Sequence, residues 1–146
     1  MKDIRHILYA TDFSTTSRWA FDTALTLAKS QKATLTILSV LAPIATMPEQ
    51  YIDAVTMDRL QKEARQWSTR QLSRLAARAT KAGVKASVLM REGTASEQIV
   101  RTSRSTKSDL IVMGTHGRRG LPRFFLGSVA ERVVATASCP VVTVRG

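Results

Sequence analysis

Apolar positions along this chain alternate between two rhythms. Short, nearly continuous runs of Ile, Val, Leu and Thr predict strands at Ile4–Thr11, Thr34–Val40, Val84–Arg91, Leu110–Met113 and Val141–Val144. Between them the apolar residues recur at helical spacing. A helix is predicted over Ser14–Ser30, with Ala20, Ala24, Leu27 and Ala28 on one face. A loop containing Pro43 and Pro48 leads to a long helix over Glu49–Ala82, which carries Leu60, Ala64, Trp67, Leu75 and Ala79, and Gly83 is its stop signal. Gly93 precedes Thr94-Ala-Ser-Glu97, a capping-box pattern that starts a helix near Ala95. Lys107-Ser-Asp109 turns into the fourth strand. Ser128-Val-Ala-Glu131 reads as a second capping box, opening a patterned segment from Val129 to Ala135 that ends before Cys139-Pro140.

The order is βαβαβαβαβ. Apolar strands joined by helices predict a parallel sheet covered on both faces. Right-handed crossovers give an α/β, doubly wound, five-stranded sheet with the flavodoxin-like order 3-2-1-4-5. Residues 1–146 read as a single domain of ordinary size, with no internal repeat or linker.

Composition narrows the class. Hydrophobic residues make up 44% and the mean hydropathy is −0.07, the balance of a soluble globular chain. No apolar run approaches the roughly 20 residues of a membrane span. The charged N-terminal stretch does not resemble a signal peptide, and the single Cys139 cannot form an internal disulfide, so a cytosolic setting is expected. The net charge of +11 suits contact with anions, and equally suits plain solubility.

The candidate chemistry is concentrated at two strand ends. Four of the seven glycines fall in Gly114-Thr-His-Gly117-Arg-Arg-Gly120-Leu-Pro-Arg-Phe-Phe-Leu-Gly127-Ser128, between the fourth strand and the last helix. Glycine allows positive φ and close approach of a ligand to the backbone. A helix N-terminus offers free N–H groups and the positive end of a dipole. A glycine loop feeding such a terminus suits a phosphorylated ligand. In a doubly wound sheet, ligands bind where the strand order reverses, here between strands 1 and 4. Strand 1 ends in Ala10-Thr11-Asp12-Phe13-Ser14, and strand 4 in Met113-Gly114.

These residues resemble the universal stress protein family. The family's nucleotide signature, Gly-x2-Gly-x9-Gly-(Ser/Thr), is matched by Gly114, Gly117, Gly127 and Ser128. Thr11-Asp-Phe-Ser14, Gly93 with Glu97, and Cys139-Pro-Val-Val match further family positions, so the resemblance covers the whole chain. Ala10 stands where many ATP-binding members have proline. The resemblance implies ATP as the ligand, with Mg²⁺ or Mn²⁺, if present, held mainly by its phosphates. It places Asp12 and Val40 beside adenine and ribose, and Met113 and Gly114 on the adenine-ribose side. Gly117, Gly127, Ser128 and Val129 would meet the phosphates. It also implies a homodimer in which Val141–Val144 pairs with its two-fold mate.

Other readings stay open. Ser128 is a phosphate contact or simply a helix cap, since both uses share one terminus. Asp12 is a ligand contact or a helix-start carboxylate. His116 is read as a solvated loop residue. Arg118, Arg119 and Arg123 neutralise phosphate or are solvated. Arg70, Arg74 and Arg78 form a basic helix face, solvated or nucleic-acid-binding. Trp19 and Trp67 are read as packing residues. Three functions follow: a regulatory ATP-binding module, a slow metal-dependent ATPase, or a protein binding nucleic acid through its basic surface. The Gly-x4-Gly-Lys-(Ser/Thr) loop, the Gly-x-Ser-x-Gly elbow and a His/Cys metal cluster are absent from the sequence, which argues against those chemistries.

Overall fold

The computed structural model describes residues 2–43, 53–116 and 126–145. Five strands, β1 (His6–Thr11), β2 (Thr34–Leu41), β3 (Ala86–Glu92), β4 (Leu110–Gly114) and β5 (Val141–Val144), form one sheet in the order β3-β2-β1-β4-β5. Every neighbouring pair is parallel. The connecting helices are α1 (Thr15–Gln31), α2 (Ala54–Lys81), α3 (Ala95–Ser105) and α4 (Ser128–Thr136). The expected doubly wound architecture is therefore present.

Strand alternation divides the core in two. Ile7, Tyr9, Leu35, Ile37, Leu110 and Val112 point to the face covered by α1 and α2. Their neighbours Leu8, Ala10, Leu38, Ile111 and Met113 point to the face covered by α3 and α4. Both faces of the central strands are buried, which is why these strands read as unbroken apolar runs. Among the described residues no helix is long and apolar enough to cross a membrane.

Several expectations shift. The long helix begins at Ala54 rather than Glu49, because Asp53 is extended at φ −74 and ψ 165 and its carboxylate accepts the Thr56 N–H at 2.7 Å. That N-cap fixes the start more firmly than apolar spacing does. The buried stripe of α2 is Ser68, Leu72 and Ala79, whereas Leu60 and Trp67 are 37% and 38% exposed. Trp67 instead packs edge-on against Phe13, with ring centroids 5.1 Å apart. Trp19 is 45% exposed, so its packing role is at most partial. Thr94 does stand at the N-cap of α3, but its side chain makes no capping bond. Gly83, at φ 83, ends α2 as expected.

Asp109 ties the edge at which the strands begin. Its Oδ2 accepts the N–H groups of Arg5 at 2.9 Å and His6 at 3.0 Å, joining the entry of β4 to that of β1. The Arg5 N–H, foremost, holds the carboxyl below its ordinary value of 3.8, with burial opposing. A depressed folded value means this stabilisation is complete above the unfolded value and disappears as pH falls through the folded one. Asp109→Ala should cost about 1 kcal/mol, or about 3–5 °C in melting temperature at pH 7. The gap from wild type should close as the pH is taken below about 4. A gap that stays constant down to strongly acidic pH would remove the carboxylate from this role.

Candidate functional site

The sheet opens where its winding reverses, between β1 and β4. A cleft of about 580 Å³ lies there, within the ordinary size range of small-molecule sites. Its floor comes from the strand faces that point toward α3 and α4: Ala10, Leu38, Val40 and Met113. Ala95 and Ile99 of α3 form one wall, and Val129 and Ala130 of α4 the other. Asp12, Thr115, His116, Gly127 and Ser128 complete the mouth. An apolar floor beside a polar rim suits a flat base at one end and an anionic group at the other.

The β1–α1 turn is tightly determined. Asp12 Oδ1 accepts the Ser14 N–H at 2.9 Å, and Thr11 Oγ1 accepts the Phe13 N–H at 2.9 Å. Ser14 caps α1 by accepting the Ser17 N–H at 3.2 Å. Phe13 sits at φ 62, a left-handed conformation rare for an aromatic residue. Beneath the turn, Ser17 Oγ donates to Thr11 Oγ1 at 2.7 Å, and the Tyr9 hydroxyl donates to the Ser17 carbonyl at 2.6 Å. Burial pushes the Tyr9 phenol above its ordinary value, so this chain of hydroxyls stays neutral. Asp12 is thus both a helix-start residue and a residue of the cleft mouth; the two readings of it are compatible.

At the opposite strand end, Gly127 rather than Ser128 is the N-cap of α4. Its carbonyl accepts the Glu131 N–H at 2.9 Å, and among the described residues no side chain caps the helix. Ser128 is the first helical residue, which corrects the capping-box reading. The first turn of a helix has N–H groups without intrahelical partners, and here that turn, Gly127 to Ala130, lines the cleft. The positive end of the α4 dipole faces the same space.

Two glycines act through space rather than through positive φ. Gly127 has φ −59, and a Cβ on it would lie 2.6 Å from the Thr115 carbonyl oxygen, the acceptor of its own N–H. A Cβ on Gly114 would meet Thr16 Cγ2 at 3.0 Å and the Ser17 backbone nitrogen at 3.3 Å, so its smallness lets α1 approach β4.

Of the sequence-predicted site residues, the cleft brings together Asp12, Val40, Met113, Gly114, Gly127, Ser128 and Val129. Gly117, with Gly120 and the arginines at 118, 119 and 123, lies outside the described residues. His116 is not simply a solvated loop residue: it lines the cleft, and its Nδ1 shares a hydrogen bond with Thr115 Oγ1 at 2.6 Å. Ala42, Ala95 and Ile99 were missed. Their apolar side chains look like ordinary core in the sequence; only the approach of α3 to β2 makes them a wall. Among the described residues, no three His, Cys, Asp or Glu side chains gather to hold a metal.

Residues 3–145 match the universal stress protein family. The universal stress protein MJ0531 of Methanocaldococcus jannaschii is 35% identical over 143 residues, spanning 97% of this chain and 82% of that protein. Among solved structures, hypothetical protein MJ0577 superposes with a TM-score of 0.85 at 25% identity, covering 99% of this chain and 98% of that one. A universal stress protein in complex with cAMP shares the fold at TM-score 0.72 and 23% identity, over 99% of this chain and 98% of its own. The Archaeoglobus fulgidus universal stress protein in complex with dAMP does so at TM-score 0.66 and 18% identity, over 99% of both chains.

The steric role of Gly127 is directly testable. Gly127→Ala should destabilise the protein by about 1–3 kcal/mol, because the methyl group displaces α4 from the Thr115 carbonyl. Urea unfolding should show a lower midpoint with an unchanged slope. Equal midpoints would show that the junction has room for a side chain.

Proposed function

This chain belongs to the universal stress protein family, and on that premise we propose that it is a cytosolic module that holds ATP in the β1/β4 cleft and uses the bound state as a regulatory signal. Adenine and ribose lie on the apolar floor, beside Asp12, Val40, Met113 and Gly114. The phosphates meet the backbone N–H groups of Ser128 and Val129 and the Ser128 hydroxyl; Gly127, whose own N–H is donated to the Thr115 carbonyl, adjoins the phosphates as a residue without a side chain. Gly117, outside the described residues, is assigned to the same phosphate path by its place in the family's glycine signature. Two copies pair along β5, the edge strand of the sheet.

One observation carries the reading: among the described residues no side chain caps the start of α4, and its first turn lines the cleft at the switch point. The adenine nucleotides bound by two proteins of the same fold support it, since cAMP and dAMP share a purine base, a sugar and a phosphate. The described cleft residues suit such a ligand, with an apolar surface for the base and main-chain donors for an anion. A divalent ion arriving with ATP would be held mainly by the phosphates, with Asp12 the carboxylate lining the cleft. The titratable groups of the described lining are Asp12 and His116. This sparse set favours a holding role over rapid turnover.

Ser128→Pro tests the phosphate assignment with the helix preserved. Proline is well tolerated at the first helical position, and the extended ψ of 154 at Gly127 suits a following proline. The variant removes one N–H and one hydroxyl. Each hydrogen bond to a charged group is worth about 1.5–3 kcal/mol, so calorimetry should show ATP affinity reduced tenfold or more. Native mass spectrometry of the wild type should show a dimer carrying adenine nucleotide. Undiminished affinity in the variant at unchanged melting temperature would overturn the phosphate site, and a bare monomer would overturn the assembly.

A further inference from the structure

Three cations of α2 reach acids, whereas Arg59, Arg70 and Arg74 on the same helix have no carboxylate within 4.0 Å among the described residues. Lys62 Nζ lies 3.0 Å from Asp58, Arg65 pairs with Glu92, and Arg78 lies 3.1 Å from Asp22 with its guanidinium 4.8 Å above the Phe21 ring. At the edge where the strands begin, the pattern differs. The strands are all parallel, so the turns entering β2, β3 and β4 lie along that one edge. Lys29 and Lys32 stand at the first turn, Lys81 and Lys85 at the second, and Arg104 and Lys107 at the third, all exposed. Among the described residues, none of these six has a carboxylate within 4.0 Å. The acids nearby are engaged: Asp3 lies 3.9 Å from Arg5, and Asp109 accepts backbone N–H groups.

Helix C-termini attract cations, which accounts for Lys29, Lys81 and Arg104 in the last turns. Lys32, the C-cap of α1, and Lys107, one residue past the C-cap of α3, stand at the same dipole ends, but the dipole does not explain their backbone conformation. Lys32 and Lys107 stand at φ 54 and φ 52, left-handed conformations in which glycine is strongly preferred and lysine is disfavoured. The remaining turn does use glycine, Gly83 at φ 83. Two turns therefore carry a lysine where glycine would fold more easily, and charge is the property that lysine adds.

We infer that this edge is a docking surface for the phosphate backbone of double-stranded nucleic acid, without sequence readout. The row of cations crosses β3-β2-β1-β4, three strand spacings of about 4.8 Å, or about 14 Å. That length spans about four base-pair steps of duplex. Duplex is favoured over single strand because the described residues of this edge present no exposed Phe, Tyr or Trp ring for bases to stack on, and the imidazole they do present, His6, stands beside Asp109. The edge lies opposite the cleft, which opens at the C-terminal strand ends, so the inference stands apart from the nucleotide reading.

Fluorescence anisotropy with a labelled mixed-sequence duplex of about 20 base pairs tests it. Binding should weaken with salt at a log–log slope of about −4 to −5, corresponding to about five phosphates. The double variant Lys32→Gly, Lys107→Gly should bind at least tenfold more weakly near 100 mM salt, with the slope shallower by about two. Its melting temperature should equal or exceed that of the wild type, since glycine relieves both left-handed positions. Arg70→Gln with Arg74→Gln should leave binding within about twofold. Four results would overturn the assignment: no binding at about 50 mM salt, undiminished binding by the lysine variant, an equal loss in the arginine variant, or tighter binding to phosphatidylserine vesicles than to duplex.

Discussion

The parallel pairing of β1 with β4 is the contact on which the functional end of this protein depends. Ile7, Leu8 and Tyr9 lie in register with Leu110, Ile111 and Val112, although the two strands are far apart in the chain. The pairing sends α1 and α2 to one face and α3 and α4 to the other. Among the described residues no helix then crosses the C-terminal ends of this strand pair, and the gap between the diverging connections is the cleft. The sheet needs buried, unbranched contact at the junction: Gly114 admits the first turn of α1, and Gly127 admits the Thr115 carbonyl. The same close approaches that complete the core leave the N-terminus of α4 facing the opening.

Much of this was legible in the sequence. The central strands are short apolar runs buried on both faces, and the partly exposed edge strands β3 and β5 still read as apolar runs bounded by turn signals, so number, order of appearance and parallel arrangement follow from pattern. The glycine spacing and the Thr11–Ser14 segment mark the two strand ends that meet. What was not legible depends on contacts distant in sequence. The cation partners are one example: Arg78 meets Asp22 across a separation of 56 residues, and Arg65 meets Glu92 across 27. A helix written as a basic face is thus partly a set of ion pairs. Trp67 is another, because its helical spacing suggests core whereas its partner is Phe13 in the β1–α1 turn. Caps depend on backbone angles at a single residue, which is why Asp53 displaces the α2 start expected from apolar spacing and Gly127 takes the cap position that the capping-box pattern gave to Ser128.

The two ends of the sheet are electrostatically different. The end that carries the cleft offers helix N-termini and exposed main-chain donors, with Asp12 and His116 as the titratable groups of the described lining. The other end receives the helix C-termini and surrounds them with lysine and arginine. Both arrangements follow from one geometric fact: in a parallel sheet with helical crossovers, every helix runs antiparallel to the strands, so all the dipoles align. The fold therefore separates two anion-attracting mechanisms, backbone donors at one end and side-chain charge at the other. The +11 net charge of the chain does not distinguish them.

The direct test is to observe which backbone amides respond to nucleotide. In ¹⁵N-labelled protein titrated with ATP, the largest chemical-shift changes should fall on Ser128, Val129 and Ala130, with Thr11 and Asp12 responding beside them. Changes confined to the lysine-rich edge around Lys32 and Lys107, with the α4 amides unmoved, would contradict phosphate binding at the α4 terminus.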